Sequence, residues 1–262
     1  EGIQKPKHGG PNLKKRPKPN KQNSLAEEVR LNKYIARCGV CSRREADTLI
    51  SEGKVKVNDE LVTEMGVKIK RSEDTVSVNG KTLVLEDFVY VLLNKPRNVI
   101  STTSDPEGRQ TVLDLVKDAT DDRIFPVGRL DRNTTGLLLI TNDGNITNKL
   151  THPSFEIEKL YHVATDRPID ERDIDKLKMG ILLEDGSIKV DAISRVAEGG
   201  DNEVGLRIHS GRNRIVRRMF EHLGYEVEKL DRVQFAFLTK KHLPRGEWRH
   251  LSKQEVGQLK GM

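Results

Sequence analysis

Only two of the 262 residues are cysteine, one is tryptophan, and aromatics make up 4% of the chain. Two cysteines are too few to staple a secreted scaffold, which points to a reducing, cytoplasmic setting. The longest aliphatic block is Leu137 to Ile140. That falls far short of the roughly 18 apolar residues of a membrane-spanning helix, so no membrane partner is expected. There is no Gly-rich dinucleotide loop and no His/Cys cluster at metal-ligand spacing. Cys38-Gly39-Val40-Cys41 has the spacing of a redox pair, but it falls in a corner between two helices with no strand before it. It reads as two structural thiols. No internal repeat is present.

What the chain does have is charge. Charged residues make up 33%, hydrophobic ones 35%, and mean hydropathy is −0.61. The chain can fill a core, yet much of it is solvated or faces a polyanion. The net charge of +6 is carried entirely by the first 24 residues, where Lys5, Lys7, Lys14, Lys15, Arg16, Lys18 and Lys21 stand against Glu1 alone. Four of the ten prolines lie there as well, with Ile3 and Leu13 the only aliphatics. Such a segment cannot bury enough surface to offset ordering. Residues 1–28 are therefore expected to be a disordered basic arm, serving either as a solubilising tail or as a salt-sensitive attractor of phosphate. The first residue is Glu1, and residues upstream of it are expected.

From Arg30 the pattern turns helical, with Leu31, Tyr34, Ile35 and Cys38 on one face and Lys33 and Arg37 on another. Gly39 ends that helix. Ser42 and Glu45 have capping-box spacing for a second helix carrying Ala46, Leu49 and Ile50, which Gly53 stops. Val55 and Val57 then alternate with lysines, Asn58-Asp59 offers a turn, and Leu61-Val62 can return as a second strand. Lys33, Arg37, Arg43, Arg44 and Lys54 sit on the helix faces, the second helix start and the hairpin, where they suit phosphate groups.

Residues 63–87 form a seam with a weak strand near Thr75–Val78. Beyond it, strands are expected at 89–93, 124–127, 137–141, 160–165, 181–183, 188–190 and 204–208. Helices are expected at 112–116, after Asn145, at 170–179, and from Arg212 to Leu223. Strands outnumber helices and connections are short, so the larger module is expected to be α+β, built on a mixed, mainly antiparallel sheet.

Two apolar strands bracket a polar loop, Gly128-Arg129-Leu130-Asp131-Arg132-Asn133-Thr134-Thr135-Gly136. A loop on a rigid support is a common place for function. Its single carboxylate, Asp131, would repel phosphate in a purely gripping surface, and is better explained as a nucleophile or electrostatic group. The alternative is an ordinary loop salt bridge. Tyr161, in Lys159-Leu160-Tyr161, offers a ring to stack on a base and a hydroxyl to relay a proton. Five arginines and no acid lie between Arg207 and Arg218. On the helix that follows, Arg214 and Arg218 share an outer face, while Arg217 falls at the edge of the apolar arc and wants a carboxylate partner. Asp131 is the candidate.

These segments, with Asn94-Lys95-Pro96 before them and Leu243-Pro-Arg-Gly-Glu-Trp-Arg-His-Leu251 after, resemble the motifs of pseudouridine synthases. The stretch Arg30–Ala36 with Ser42–Ala46 resembles the RNA-binding domain named for ribosomal protein S4. The subgroup joining the two domains, the RsuA/RluB/RluE/RluF family, matches best, and among these the RluB-like large-subunit enzymes. One departure is Ala236-Phe237, where the RluB-like pattern more often has Gly-Pro. The resemblance implies an S4-like domain and linker over residues 29–87 and a synthase domain with a central catalytic cleft over 88–256. It implies isomerisation of a specific uridine in ribosomal RNA by base flipping, without cofactor or metal. Asp131 would be the essential carboxylate, acting at C1′ or on a ribose proton; Tyr161 would pack on the uracil; Arg217 would pair with Asp131. Arg129 would fill the vacated stack or touch a phosphate, and Arg132, Arg212 and Arg214 would hold RNA. The expected partner is large-subunit ribosomal RNA, free or in an assembly intermediate, with the protein acting as a monomer. The rival readings are a small-subunit synthase and a non-catalytic RNA-binding assembly factor. A DNA-binding regulator is disfavoured because the two-helix corner lacks a base-reading helix.

Overall fold

The computed structural model describes residues 28–262. The basic arm lies outside the described residues except for Glu28, which opens a strand rather than ending an arm. The chain divides into two compact units, one formed by described residues up to 34 with 43–83, the other by 35–42 with 84–262.

In the first unit, β1 (Glu28–Arg30) leads into α1 (Leu31–Arg37), whose last three residues fall in the second unit, and the first unit resumes with α2 (Arg43–Ser51). The strands β2 (Val55–Val57), β3 (Glu60–Leu61), β4 (Lys68–Lys70), β5 (Val76–Val78) and β6 (Lys81–Thr82) follow. β2 and β3 form the anticipated hairpin, pairing Lys56 with Leu61. Asn58 and Asp59 both adopt positive φ, 51° and 66°, which is why Asn and Asp occupy a two-residue turn there. Their strands join β5 and β6 in a sheet of order β3-β2-β5-β6, while β1 pairs with β4.

The second unit is built on one large sheet. Its elements are β7 (Tyr90–Lys95), α3 (Val112–Leu115), β8 (Phe125–Pro126), β9 (Thr135–Thr141), α4 (Gly144–Thr151), β10 (Lys159–Thr165), α5 (Glu171–Met179), β11 (Ile181–Leu183) and β12 (Gly186–Ile188). After these come β13 (Ala192–Arg195), β14 (Glu203–Ile208), α6 (Ile215–His222), β15 (Val227–Phe235), β16 (Leu238–Thr239), β17 (Trp248–His250) and α7 (Lys253–Gly261). The main path runs β13-β14-β10-β15-β9-β7-β17. Only β15 and β9 pair in parallel, so the sheet is mixed and mainly antiparallel, as the strand-rich pattern predicted.

β7 and β9 are apolar without alternation because both of their faces are covered. Leu92, Leu137 and Leu139 pack toward α4 and α7, while Val91, Leu93, Leu138 and Ile140 pack with Val112 and Val116 of the α3 region. Thr111 caps α3 through a capping box with Asp114. A separate cluster joins α5 and α6 to β10, β14 and β15. The central parallel junction depends on Gly136, which stands at φ 109° where a Cβ would collide with the Arg232 backbone. Only glycine allows β15 to approach β9 there.

Besides β1, β4, β6, β13, β16, β17 and α7, which the sequence pattern does not signal, three elements differ from the sequence expectation. α6 begins at Ile215 rather than Arg212, because Arg214 is left-handed at φ 48° and delays the helix. The strand expected at 188–190 is instead β12, ending at Ile188. β15, the strand at the heart of the sheet, is absent from the pattern-based reading because charged residues interrupt its alternation.

Candidate active site

The Asp131 loop is fixed from below. Lys95, at the end of β7, is 0% exposed, and its ammonium donates to the carbonyls of Pro96, Asp131, Arg132 and Thr134 at 3.1, 3.1, 3.3 and 2.8 Å. Burial pushes its pKa down to about 8, against the opposing pull of the Asp131 charge. The Ser101 hydroxyl donates to the Leu130 carbonyl at 2.9 Å and accepts from the Leu130 amide at 3.2 Å, and the Asn98 amide donates to Arg132 O at 2.9 Å. Leu130 is buried, so Asp131 projects from an anchored turn.

Asp131 and Tyr161 line one cavity of about 160 Å³. Lys159 and Tyr161 reach it from β10, Arg232 from β15, Arg212 and Arg214 from the segment before α6, and Arg129 from the loop itself. The lining thus combines apolar residues, among them Leu130, Ile215 and Phe235, with these cationic ones. Burial pushes Lys159 down to about 8, with the nearby Arg232 charge adding to it. Its ammonium donates to Ile157 O at 2.9 Å and His209 O at 2.7 Å. Among the described residues, no group of three His, Cys, Asp or Glu side chains is placed to hold a metal ion.

The RNA pseudouridylate synthase family profile matches residues 89–222, and the S4 domain profile matches 29–76. The ribosomal large subunit pseudouridine synthase B of Bacillus subtilis is 48% identical over 237 residues, 89% of this chain and 96% of that protein. The dual-specificity RNA pseudouridine synthase RluF of Escherichia coli K12 is 39% identical over 87% of this chain and 77% of its own length. A crystal structure of a pseudouridylate synthase, 31% identical, superposes with a TM-score of 0.61 over 88% of this chain and 99% of that one. The chain belongs to the RNA pseudouridylate synthase family.

In this synthase the carboxylate expected to pair with Arg217 pairs with Arg214 instead, Nη1 lying 3.5 Å from Asp131 Oδ2. The left-handed Arg214 precedes the helix, so its side chain reaches the loop. Arg217, one turn in and 8% exposed, donates Nη1 to Val227 O at 2.7 Å and lines a neighbouring cleft with Arg97 and Asn133. Burial pushes its pKa down, Arg214 adds to the effect, and the Asp131 charge opposes it, so Asp131 acts on Arg217 through its field rather than by contact.

Two of the residues assigned to RNA have structural work. Arg212 spans the β11–β12 turn, donating to Asp185 O, Gly186 O and Ser187 O at 3.0, 3.2 and 2.7 Å. Arg218 grips Asp185 as well, at 2.6 Å. Arg37 stacks on Phe88, 3.8 Å from the ring centre, and donates to Glu86 O at 2.5 Å. Their forks found nearby acceptors before any phosphate. Arg129, Arg132, Arg43, Arg44 and Lys54 are exposed, and Lys33 is partly so. Lys54 forms a 2.6 Å surface pair with Glu52. The sequence names Lys95 only within a motif and does not single out Arg232; a lysine two residues past the apolar run at 89–93 was the available signal for the first.

Proposed function

We propose that this synthase isomerises one specific uridine of large-subunit ribosomal RNA to pseudouridine. The observation carrying this reading is the convergence of Asp131, Tyr161 and Arg214 on one cationic cavity in a chain so similar to the Bacillus large-subunit enzyme. The target base leaves its stack, at a cost of a few kcal/mol, to reach Asp131. The N1–C1′ bond breaks, the uracil rotates, and C5 bonds to C1′. The proton leaves C5 and N1 is protonated, so atoms balance without an electron acceptor.

Asp131 acts either at C1′ or on a ribose proton, Arg214 holds its carboxylate in place, and Arg217 contributes charge from behind. Tyr161 packs on the uracil and its hydroxyl takes part in the C5 proton transfer. Arg129 either enters the vacated stack or contacts a phosphate, and Arg132 contacts the backbone. Lys33, Arg43, Arg44 and Lys54 supply affinity from the S4 unit. The enzyme works as a cytoplasmic monomer on ribosomal RNA or an assembly intermediate.

Mapping pseudouridines in ribosomal RNA from cells with and without the gene tests the assignment. Loss of one large-subunit pseudouridine is the expected result. Loss from the small subunit alone moves the substrate to that RNA, and identical maps favour a non-catalytic assembly factor.

A further inference from the structure

Arg232 is 4% exposed and stands on β15 between the strand bearing Tyr161 and the strand that follows the Asp131 loop. Its guanidinium is oriented from two sides. Nε donates to Leu137 O at 2.8 Å, and the plane lies over Phe235 at 4.5 Å from the ring centre. Nη2 is buried with no hydrogen-bond partner among the described residues, although Arg232 lines the cavity. A buried guanidinium donor left unpaired is costly, so Arg232 is poised to donate to an acceptor that enters the cavity it lines.

Resting on the reading that an extruded uracil occupies this cavity, we propose that Arg232 reads the carbonyl edge of that base and selects uracil over cytosine. A guanidinium can only donate. Uracil offers carbonyl oxygens at C2 and C4, whereas cytosine carries an amino donor at C4, which would face Arg232 donor to donor. The reaction makes this position more demanding. Turning uracil about its N3–C6 axis to bring C5 to the sugar exchanges the places of O2 and O4. A donor fixed at one side of the ring therefore meets a carbonyl oxygen both before and after rotation, and only a base with two carbonyls satisfies it throughout. Lys159 also lines the cavity, and its ammonium is likewise a donor alone.

The test uses the full chain with large-subunit ribosomal RNA transcripts sparsely doped with 2-thiouridine or 4-thiouridine, sulfur being the weaker acceptor, and follows conversion at the target by chromatographic separation of the digested nucleosides, since the isomers are equal in mass. Wild-type enzyme is expected to convert at least one thio-substituted target about tenfold or more slowly than uridine. Arg232→Met is expected to slow uridine by about 10- to 100-fold in kcat, with little change in KM for RNA, and to lose the oxygen-over-sulfur preference. Arg232→Lys, which keeps the charge but withdraws the fixed fork, is expected to behave like Arg232→Met. An active wild-type enzyme that treats all three bases alike overturns this inference alone, and needs no variant to fold. A folded Arg232→Met that keeps the wild-type preference overturns it equally. Wild type that makes no pseudouridine overturns the functional reading and this inference with it.

Discussion

At the scale of single residues, the site depends on groups that never meet the substrate. Lys95 places one ammonium among the carbonyls of Pro96 and of three residues of the Asp131 loop, so its removal strands several buried acceptors at once. Lys95→Met keeps the volume and deletes the donor. It is expected to lower kcat by at least about tenfold, and to cost about 2 kcal/mol, or roughly 4–8 °C in Tm. Circular dichroism melts and single-turnover assays measure the two. Unchanged kcat would mean the loop holds its shape without the lysine.

At the scale of elements, the β9–β15 junction and the C-terminal helix make separate predictions. Gly136→Ala must accommodate a Cβ against the Arg232 backbone at φ 109°, so it is expected to lose more than about 2 kcal/mol in urea unfolding. A stable variant would show that the strands can part without cost. α7 is fixed by Glu255, which caps it with Ser252 and binds Arg249 at 2.7 and 2.8 Å. These contacts lower the Glu255 pKa from 4.5 to about 2. A carboxylate with a depressed folded pKa stabilises above its unfolded value and loses that stabilisation as pH falls from about 4.5 toward 2. Glu255→Gln should therefore be less stable than wild type at pH 7, with the gap closing below pH 4.5; a constant gap contradicts the ion pair.

The elements legible in the sequence were those whose burial leaves a period: β7 and β9 as unbroken apolar runs, α5 by its helical spacing, and the Asn58-Asp59 hairpin by its turn residues. β15 was not legible. It is central, yet Glu228, Lys229, Asp231 and Arg232 occupy four of its nine positions. Asp231 binds Lys240, Arg245 at 3.0 Å and Thr135 at 2.7 Å, and Arg232 is buried where it lines the cavity, so charge that signals solvent in a pattern is held inside the fold. Asp131 and Tyr161 were legible because their loop and strand are rich in polar function. Which arginine meets Asp131 was not, since the left-handed turn at Arg214 leaves no periodic trace.

For the whole molecule, the position of charge makes a prediction that no local contact can. The excess of +6 resides in residues 1–24, and the remainder is formally neutral. Deleting residues 1–24 is expected to flatten the slope of log K against log salt for ribosomal RNA binding by about 3 to 6, as counterion release scales with phosphates neutralised. A slope that does not change would assign the arm to something other than RNA.

On the proposed reading, Asp131 is the essential carboxylate, Tyr161 assists proton transfer at C5, and the other residues bind and position RNA. Tritium release from C5-labelled uridine in a large-subunit ribosomal RNA transcript, run beside filter binding of the same RNA, tests it most directly. Asp131→Asn is expected to bind within a few-fold of wild type and release no tritium above background. Release at the wild-type rate from that variant would contradict the account.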